Sequence, residues 1–310
     1  MNATETYKLC KTNSQIYTLT QTYELISNLI KPRKVVVKTD GFLKKFWSYG
    51  SVTEASRIGN LDILNELIGR GHKPDYCQNT ALVFACQHGH LPVVNRLLQF
   101  GSINPSDDNN RPFRASCEYG WLPVAERLLQ DKRVDPSSMN NYAFRWACQN
   151  GHLPIVELLL QDKRVYPSAS QNYAILWACR NGHFPVVKRL LQDVRVDPTE
   201  RGNEPLWLAG INGFHKIVRL LLLDKRVNPN QNGTGLMLKV SCKGHHKVLK
   251  LLLQDGRINP SFNNNKAIHT ARQYNQIQIV KMLLEDTRVT QSLPKDELNM
   301  FVEFAFGKLE

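Results

Sequence analysis

Cysteine and histidine are the residue types here that could do chemistry, and both recur in register. Cys86, Cys117, Cys148 and Cys179 stand 31 residues apart, and His90, His152, His183 and His245 follow at the same interval or twice it. Imidazoles and thiolates together would suggest a zinc site, and paired thiols a disulfide or a redox switch. The constant interval argues against both. If each interval is one structural layer, neighbouring members of a ladder stand about 10 Å apart. Zinc holds its ligand atoms about 2 Å away, and a disulfide needs Cα atoms within about 7 Å. The cysteines therefore read as small buried core residues, and the histidines as side chains bonding a nearby backbone carbonyl at the turn. No glycine-rich phosphate loop, Gly-x-Ser-x-Gly or His-Glu-x-x-His occurs, so no catalytic residue, cofactor or metal is expected.

Stepping along the chain by the same interval exposes the elements that carry these ladders. Pro74, Pro105, Pro136, Pro167, Pro198, Pro229 and Pro260 are spaced by 31 residues, and Gly59, Gly89, Gly120, Gly151, Gly182, Gly213 and Gly244 mark the same unit, with Asn275 in the eighth place. A period of this size predicts a solenoid. Within one unit, Ala143, Phe144, Ala147 and Cys148 make a small-residue helical face, and Gly151 stops that helix in the left-handed region. Pro154 opens a second helix whose apolar stripe is Ile155, Val156, Leu159 and Leu160. Arg164-Val165-Tyr166-Pro167 then leaves in an extended segment, because the residue before proline avoids the α region.

Gly-His-Leu-x-Val-Val-x-x-Leu-Leu, over Gly89 to Leu98, resembles the ankyrin repeat, and Lys266-Ala267-Ile268-His269-Thr270-Ala271 is similar to that family's Thr-Pro-Leu-His-x-Ala opening. The resemblance covers about residues 51–290 and implies an all-α solenoid of about eight helix-turn-helix repeats. Residues 1–50 would be an N-terminal capping segment and residues 291–310 a C-terminal capping helix. The unit is shorter than the family's usual 33 residues, which predicts a tight loop in place of a β-hairpin finger. Asn141 and Asn172 are the expected N-caps of their helices, where the family has threonine. Trp146 and Trp177 replace the family's leucine and are expected between layers. Trp207 stands one place earlier, and Trp121 and Phe214 are expected to pack where the second helix begins. The short variety looks like the expanded ankyrin families of amoebae and the giant DNA viruses that infect them.

The resemblance implies a non-catalytic protein-protein interaction scaffold whose concave face is lined by the ends of the first helices and the fingers. Scaffold positions are constant between copies, so those that vary while staying polar or aromatic are candidates for contact: Tyr119, Asn150, Arg180, Asn181, Arg201 and Tyr274. Tyrosine and arginine are favoured because they dominate interface hot spots. The formal net charge of +13 points to a partner with an acidic surface, and leaves weak nucleic-acid or acidic-surface binding as an alternative. Residues 1–50 hold eight Lys or Arg against three acids, a balance of +5, and Lys31-Pro32-Arg33-Lys34 could be read as a nuclear import signal. A second alternative lies in Leu293-Pro294-Lys295-Asp296, which looks like the opening of an F-box and would make the chain a substrate adaptor for a ubiquitin ligase. No apolar run is long enough for a membrane span. An intracellular, cytoplasmic rather than nuclear, monomeric protein is the expectation.

Overall fold

A computed structural model describes residues 51–74 and 76–307; the predicted N-terminal cap and the Lys31–Lys34 signal lie outside them. Eight helix pairs follow one another: α1 (Ser51–Ile58) and α2 (Leu61–Gly69), α3 (Tyr76–Gln87) and α4 (Leu91–Leu97), α5 (Asp107–Glu118) and α6 (Leu122–Leu129), α7 (Ser138–Asn150) and α8 (Leu153–Gln161), α9 (Ala169–Asn181) and α10 (Phe184–Leu191), α11 (Glu200–Ile211) and α12 (His215–Leu223), α13 (Gly233–Lys243) and α14 (His246–Asp255), α15 (Phe262–Gln273) and α16 (Ile277–Leu284). A short α17 (Thr287–Thr290) and a final α18 (Lys295–Phe306) complete the array. No strand occurs among the described residues, as the shortened unit predicts. First helices approach their neighbours far more closely than second helices do, so the row bends with the first helices on its inner side.

Each pair buries the two stripes read from the sequence. Ala143, Phe144, Ala147 and Cys148 are at most 1% exposed, and Ile155, Val156 and Leu159 are fully buried. The four ladder cysteines are free and fully buried. Burial pushes the Cys86, Cys117, Cys148 and Cys179 thiols well above their ordinary value, so they are unreactive packing groups.

The connection between repeats has an unexpected form. Met139, Asn140 and Asn141 all take positive φ, at 52°, 58° and 58°, and the Asn141 N–H donates to the Ser137 carbonyl at 2.8 Å. This is one left-handed turn set directly before a right-handed helix. The same three-residue turn occurs at Asp108–Asn110, Ser170–Asn172, Arg201–Asn203 and Asn263–Asn265. Left-handed residues cost about 1–2 kcal/mol each for ordinary side chains, and asparagine is the type best suited to them, which explains the asparagine closing every such turn. The expectation that Asn141 and Asn172 cap their own helices is corrected here. Their Oδ1 atoms accept from the backbone N–H of Tyr166 and Asp197, both at 2.9 Å, in the following repeat. With no hairpin ladder to join the fingers, a buried amide takes over that bond.

Two further contacts recur. Arg195 forms a two-pronged pair with Asp193, at 2.9 and 2.7 Å, and donates Nη1 to the Val165 carbonyl one repeat back at 3.2 Å. Arg164, Arg226, Arg257 and Arg288 repeat this with Asp162, Asp224, Asp255 and Asp286. The histidines bond backbone carbonyls, and these lie one repeat back: Nε2 of His90, His152, His183 and His245 lies 2.8–3.1 Å from the carbonyls of Arg57, Glu118, Gln149 and Ile211. Trp121 does likewise through Nε1, at 2.8 Å from the Gln87 carbonyl, and so is more than packing at a helix start. These carbonyls belong to the last turn of a first helix, which has no partners of its own.

Candidate protein-binding surface

Of the six residues chosen from sequence, Tyr119, Asn150, Asn181 and Tyr274 share one place in the unit, immediately before the inter-helix glycine or, for Tyr274, before Asn275 in its place. They form a row along the ends of the first helices, with Tyr274 five repeats, about 50 Å at 10 Å per layer, from Tyr119. Asn150 and Asn181 are exposed, and each spends part of its amide within the array. Their Nδ2 groups donate to the carbonyls of Glu118 and Gln149, both at 2.8 Å. Asn212 and Lys243 do the same to Arg180 and Ile211, at 3.2 and 2.9 Å. Tyr119 and Tyr274 are half-exposed, and the Tyr119 hydroxyl receives Gln87 Nε2 at 3.2 Å. Arg201 stands at the opposite end of its helix, in the left-handed turn, bonded to Gln171 and 3.5 Å from Glu204. Arg180 lies with its guanidinium 4.4 Å from the Trp177 ring centre.

Arg180 thereby joins a cluster that the sequence reading missed. Trp146 and Trp177 are half-buried on the inner helices and do not fill the space between layers. Each stacks on the tyrosine one turn earlier: Tyr142 with Trp146 and Tyr173 with Trp177, both at 5.4 Å between ring centres. Arginines alternate with the tyrosines. Arg114 lies 4.8 Å over Tyr142, and Arg145 lies 5.9 Å from Tyr142 and 5.0 Å from Tyr173. The result is a continuous ladder, Arg114–Tyr142–Arg145–Tyr173, with both tryptophans and Arg180 beside it.

Local chemistry fixes the rungs. Arg114 donates Nε and Nη2 to the carbonyls of Asn109 and Asp108, both at 2.9 Å, and Arg145 serves Asn140 and Met139 at 2.9 and 3.2 Å. The guanidinium thus caps the left-handed turn with its edge and presents its flat side to the rings. Tyr142 donates its hydroxyl to Glu118 at 3.1 Å, and Tyr173 to Gln149 at 2.6 Å. Burial first, then the Glu118 carboxylate, pushes the Tyr142 hydroxyl up to about 12; burial also raises that of Tyr173. Both are neutral donors at any physiological pH. A sequence signal existed, since Tyr-x-x-x-Trp appears twice in phase at Tyr142 and Tyr173, four residues apart on one helix face. Trp207 lies over Gly235 of the next repeat, where an added Cβ would come within 3.1 Å of the indole.

Nothing in this arrangement organises a reacting atom. Among the described residues no three His, Cys, Asp or Glu side chains come together as a metal site, and no helix is long and apolar enough to cross a membrane. The surface offers rigid rings and guanidinium planes, which is recognition chemistry. A comparison with curated proteins finds no match. A family model described as ankyrin repeats matches in three copies, over residues 52–141, 144–233 and 222–292. Paired helices, an αL glycine between them and a 31-residue period agree with that match over most of the length: the chain belongs to the ankyrin repeat family.

Proposed function

We propose that this chain is a non-catalytic scaffold that binds a partner protein on its inner-helix face, with Tyr142, Trp146, Tyr173, Trp177 and Arg180 as the centre of the contact. Ankyrin repeats mediate protein-protein interaction, and the observation that carries the finer reading is the arginine-aromatic ladder. It sets side by side the residue types that dominate interface energetics. Each rung is already tied by a hydrogen bond, so little side-chain freedom is lost when a partner lands. The arginines favour an acidic partner surface. Tyr119 adjoins the centre one repeat upstream and Arg201 one repeat downstream, bonded to Gln171 two residues before Tyr173, while Tyr274, three repeats beyond Asn181, would touch only an extended partner. In this reading the protein is monomeric and works inside the cell, in the cytoplasm rather than the nucleus.

The C-terminal helix α18 serves this scaffold as a cap, in preference to a ubiquitin-ligase hook. Phe301 is fully buried, with its ring centre 5.0 Å from that of His269, so the side chain a hook would need is already spent.

The test begins by capturing a partner from cell extract with the full chain and measuring its affinity for Tyr173→Ala, Trp177→Ala and Arg180→Ala. At least one substitution is expected to weaken binding by about tenfold or more, with the circular dichroism unchanged. If all three are neutral and substitutions on the second helices weaken binding instead, the inner face is not the site.

A further inference from the structure

The outer row changes character halfway along the array. The exposed position that is Glu126 in α6 and Glu157 in α8 becomes Lys188, Arg219 and Lys250 in the next three second helices; Lys281 follows in α16, half-buried with its Nζ 4.9 Å from the Phe306 ring centre. The proline near the start of α4, α6, α8 and α10 is replaced by Lys216 in α12 and Lys247 in α14. The earlier copies fold with glutamate and proline at these places, so the scaffold does not require the cations. Lys216 and Arg219, and Lys247 and Lys250, are three residues apart on their helices, so each pair shares one face, and all four are exposed. None forms an ion pair among the described residues. Helices α10, α12 and α16 contain no Asp or Glu, and the one acid of α14, Asp255 at its far end, is held by Arg257 at 2.7 Å. His215, at the start of α12, feels this field: burial, then Lys247, Lys216 and Arg219, draw its pKa below the ordinary value. Leu223, 74% exposed, continues the face of Lys216 and Arg219, and Val194, 94% exposed, follows α10.

From this juxtaposition we infer that the outer helices α12 and α14, flanked by Lys188, dock the protein on an anionic lipid bilayer. The polyanion is identified by what the surface lacks. Helices α12 and α14 lie side by side, so neither can enter a DNA major groove, which admits one helix. They carry no Phe, Tyr or Trp on which single-stranded bases could stack. Most of the cations are lysines, strongly hydrated point charges suited to a diffuse sheet of headgroups and poorly suited to bidentate recognition. Leu223 and Val194 are aliphatic groups at the margin of a cationic surface, able to reach the boundary between headgroups and chains. This surface is on the opposite side of the array from the arginine-aromatic ladder, so both could be occupied at once.

The experiment measures partition of the full chain onto vesicles of phosphatidylcholine with about one third phosphatidylserine, and onto pure phosphatidylcholine, at 150 mM salt. The triple variant Lys216→Glu, Lys247→Glu, Lys250→Glu is compared with a triple of equal charge change elsewhere, Lys132→Glu, Lys163→Glu, Lys239→Glu, both checked for native circular dichroism. Binding to the mixed vesicles only is expected, reduced at least about 100-fold by the first triple and much less by the second. Equal losses in both triples would mean that net charge, not this surface, is responsible, and an unaffected first triple would place the binding elsewhere. Either result overturns the assignment. So would binding to pure phosphatidylcholine at the same level, or tighter binding to duplex DNA or polyglutamate than to the mixed vesicles.

Discussion

The ring of His152 lies over Gly120 while its Nε2 donates to the Glu118 carbonyl, 2.9 Å away in the preceding repeat. A Cβ on Gly120 would sit 2.6 Å from the imidazole, and the glycine holds φ at +82°. The glycine is thus needed twice, once for its backbone and once for the ring stacked on it. That coupling makes the glycine and the following aromatic one joint between layers, and it makes the joint testable.

Gly120→Ala is expected to destabilise the fold by about 2 kcal/mol or more, combining left-handed strain with displacement of the ring. His152→Leu loses the bond to Glu118 and should cost about 1 kcal/mol. His152→Gln should cost less, because Gln276 occupies this place in the last repeat and donates to the Cys242 carbonyl at 3.4 Å. Urea unfolding of the three variants ranks them; a Gln variant as damaged as Leu would remove the hydrogen bond from the explanation.

The buried asparagine of the left-handed turn gives a second expectation. Asn141→Ala removes the acceptor for the Tyr166 N–H, leaves a left-handed alanine and should lower stability by about 2–3 kcal/mol. Asn140→Ala, at the exposed neighbour in the same turn, should cost about 1–2 kcal/mol. Asn140 also reaches the next repeat, donating Nδ2 to Ser170 Oγ at 2.7 Å on the surface, so the difference, read from denaturation midpoints, sets the buried cross-repeat bond against an exposed one. Equal losses would mean that burial adds nothing to the bond.

Acid should weaken the array in two stages. The hydrogen bond from its arginine is the main cause that holds the carboxyls of Asp131, Asp162, Asp193, Asp224 and Asp286 below the ordinary carboxylate value. A depressed folded pKa means that the unfolded chain takes up the proton first. The stabilisation is therefore complete above about pH 4 and is lost as pH falls through the lower folded values. Denaturation midpoints should decline gently below about pH 6.5, where unfolding lets His88 and His215 take up protons that their depressed folded pKa values resist. They should fall more steeply below about pH 4 as the aspartates protonate. Replacing Arg195 and Arg226 with methionine should make the second decline shallower; an unchanged slope would exclude these pairs as its origin.

The final helix offers a fourth prediction. Phe301→Ala empties a fully buried site and should cost about 3–5 kcal/mol of stability in the last layers. Amide exchange in α15 and α16 should quicken while α7 to α10 stay protected, since each repeat feels chiefly its neighbours. The cover is incomplete: Val280 is fully buried, but Ile277 remains 39% exposed. Uniformly faster exchange throughout would argue that the array unfolds as one unit and that α18 is no local cap.

The period of Pro74 to Pro260 and the glycines from Gly59 to Gly244 were enough to read the solenoid and the phase of every helix, because a repeat that cannot bury its stripes alone must stack. The cysteine ladder was legible for the same reason: its interval alone forbids pairing. Asn141 was misread because a capping residue and a cross-repeat bridge look identical in one dimension. Only the left-handed turn aims the amide at the next repeat instead of at its own helix. Asn150 and Asn181 stand out in the sequence as variable polar positions, and the stacking adds what spacing does not show: carbonyls of the preceding repeat within 2.8 Å that take the Nδ2 of each amide. The tryptophans went the other way. Standing where the family has leucine suggests burial between layers, but the inner helices meet through fully buried alanine and cysteine, and both indoles are only half-buried. Trp146 and Trp177 are therefore displaced onto the inner face, beside arginines already anchored by the turn. Spacing along the chain decides which residues share a layer; the separation between layers, a tertiary quantity, decides which of them are left for a partner.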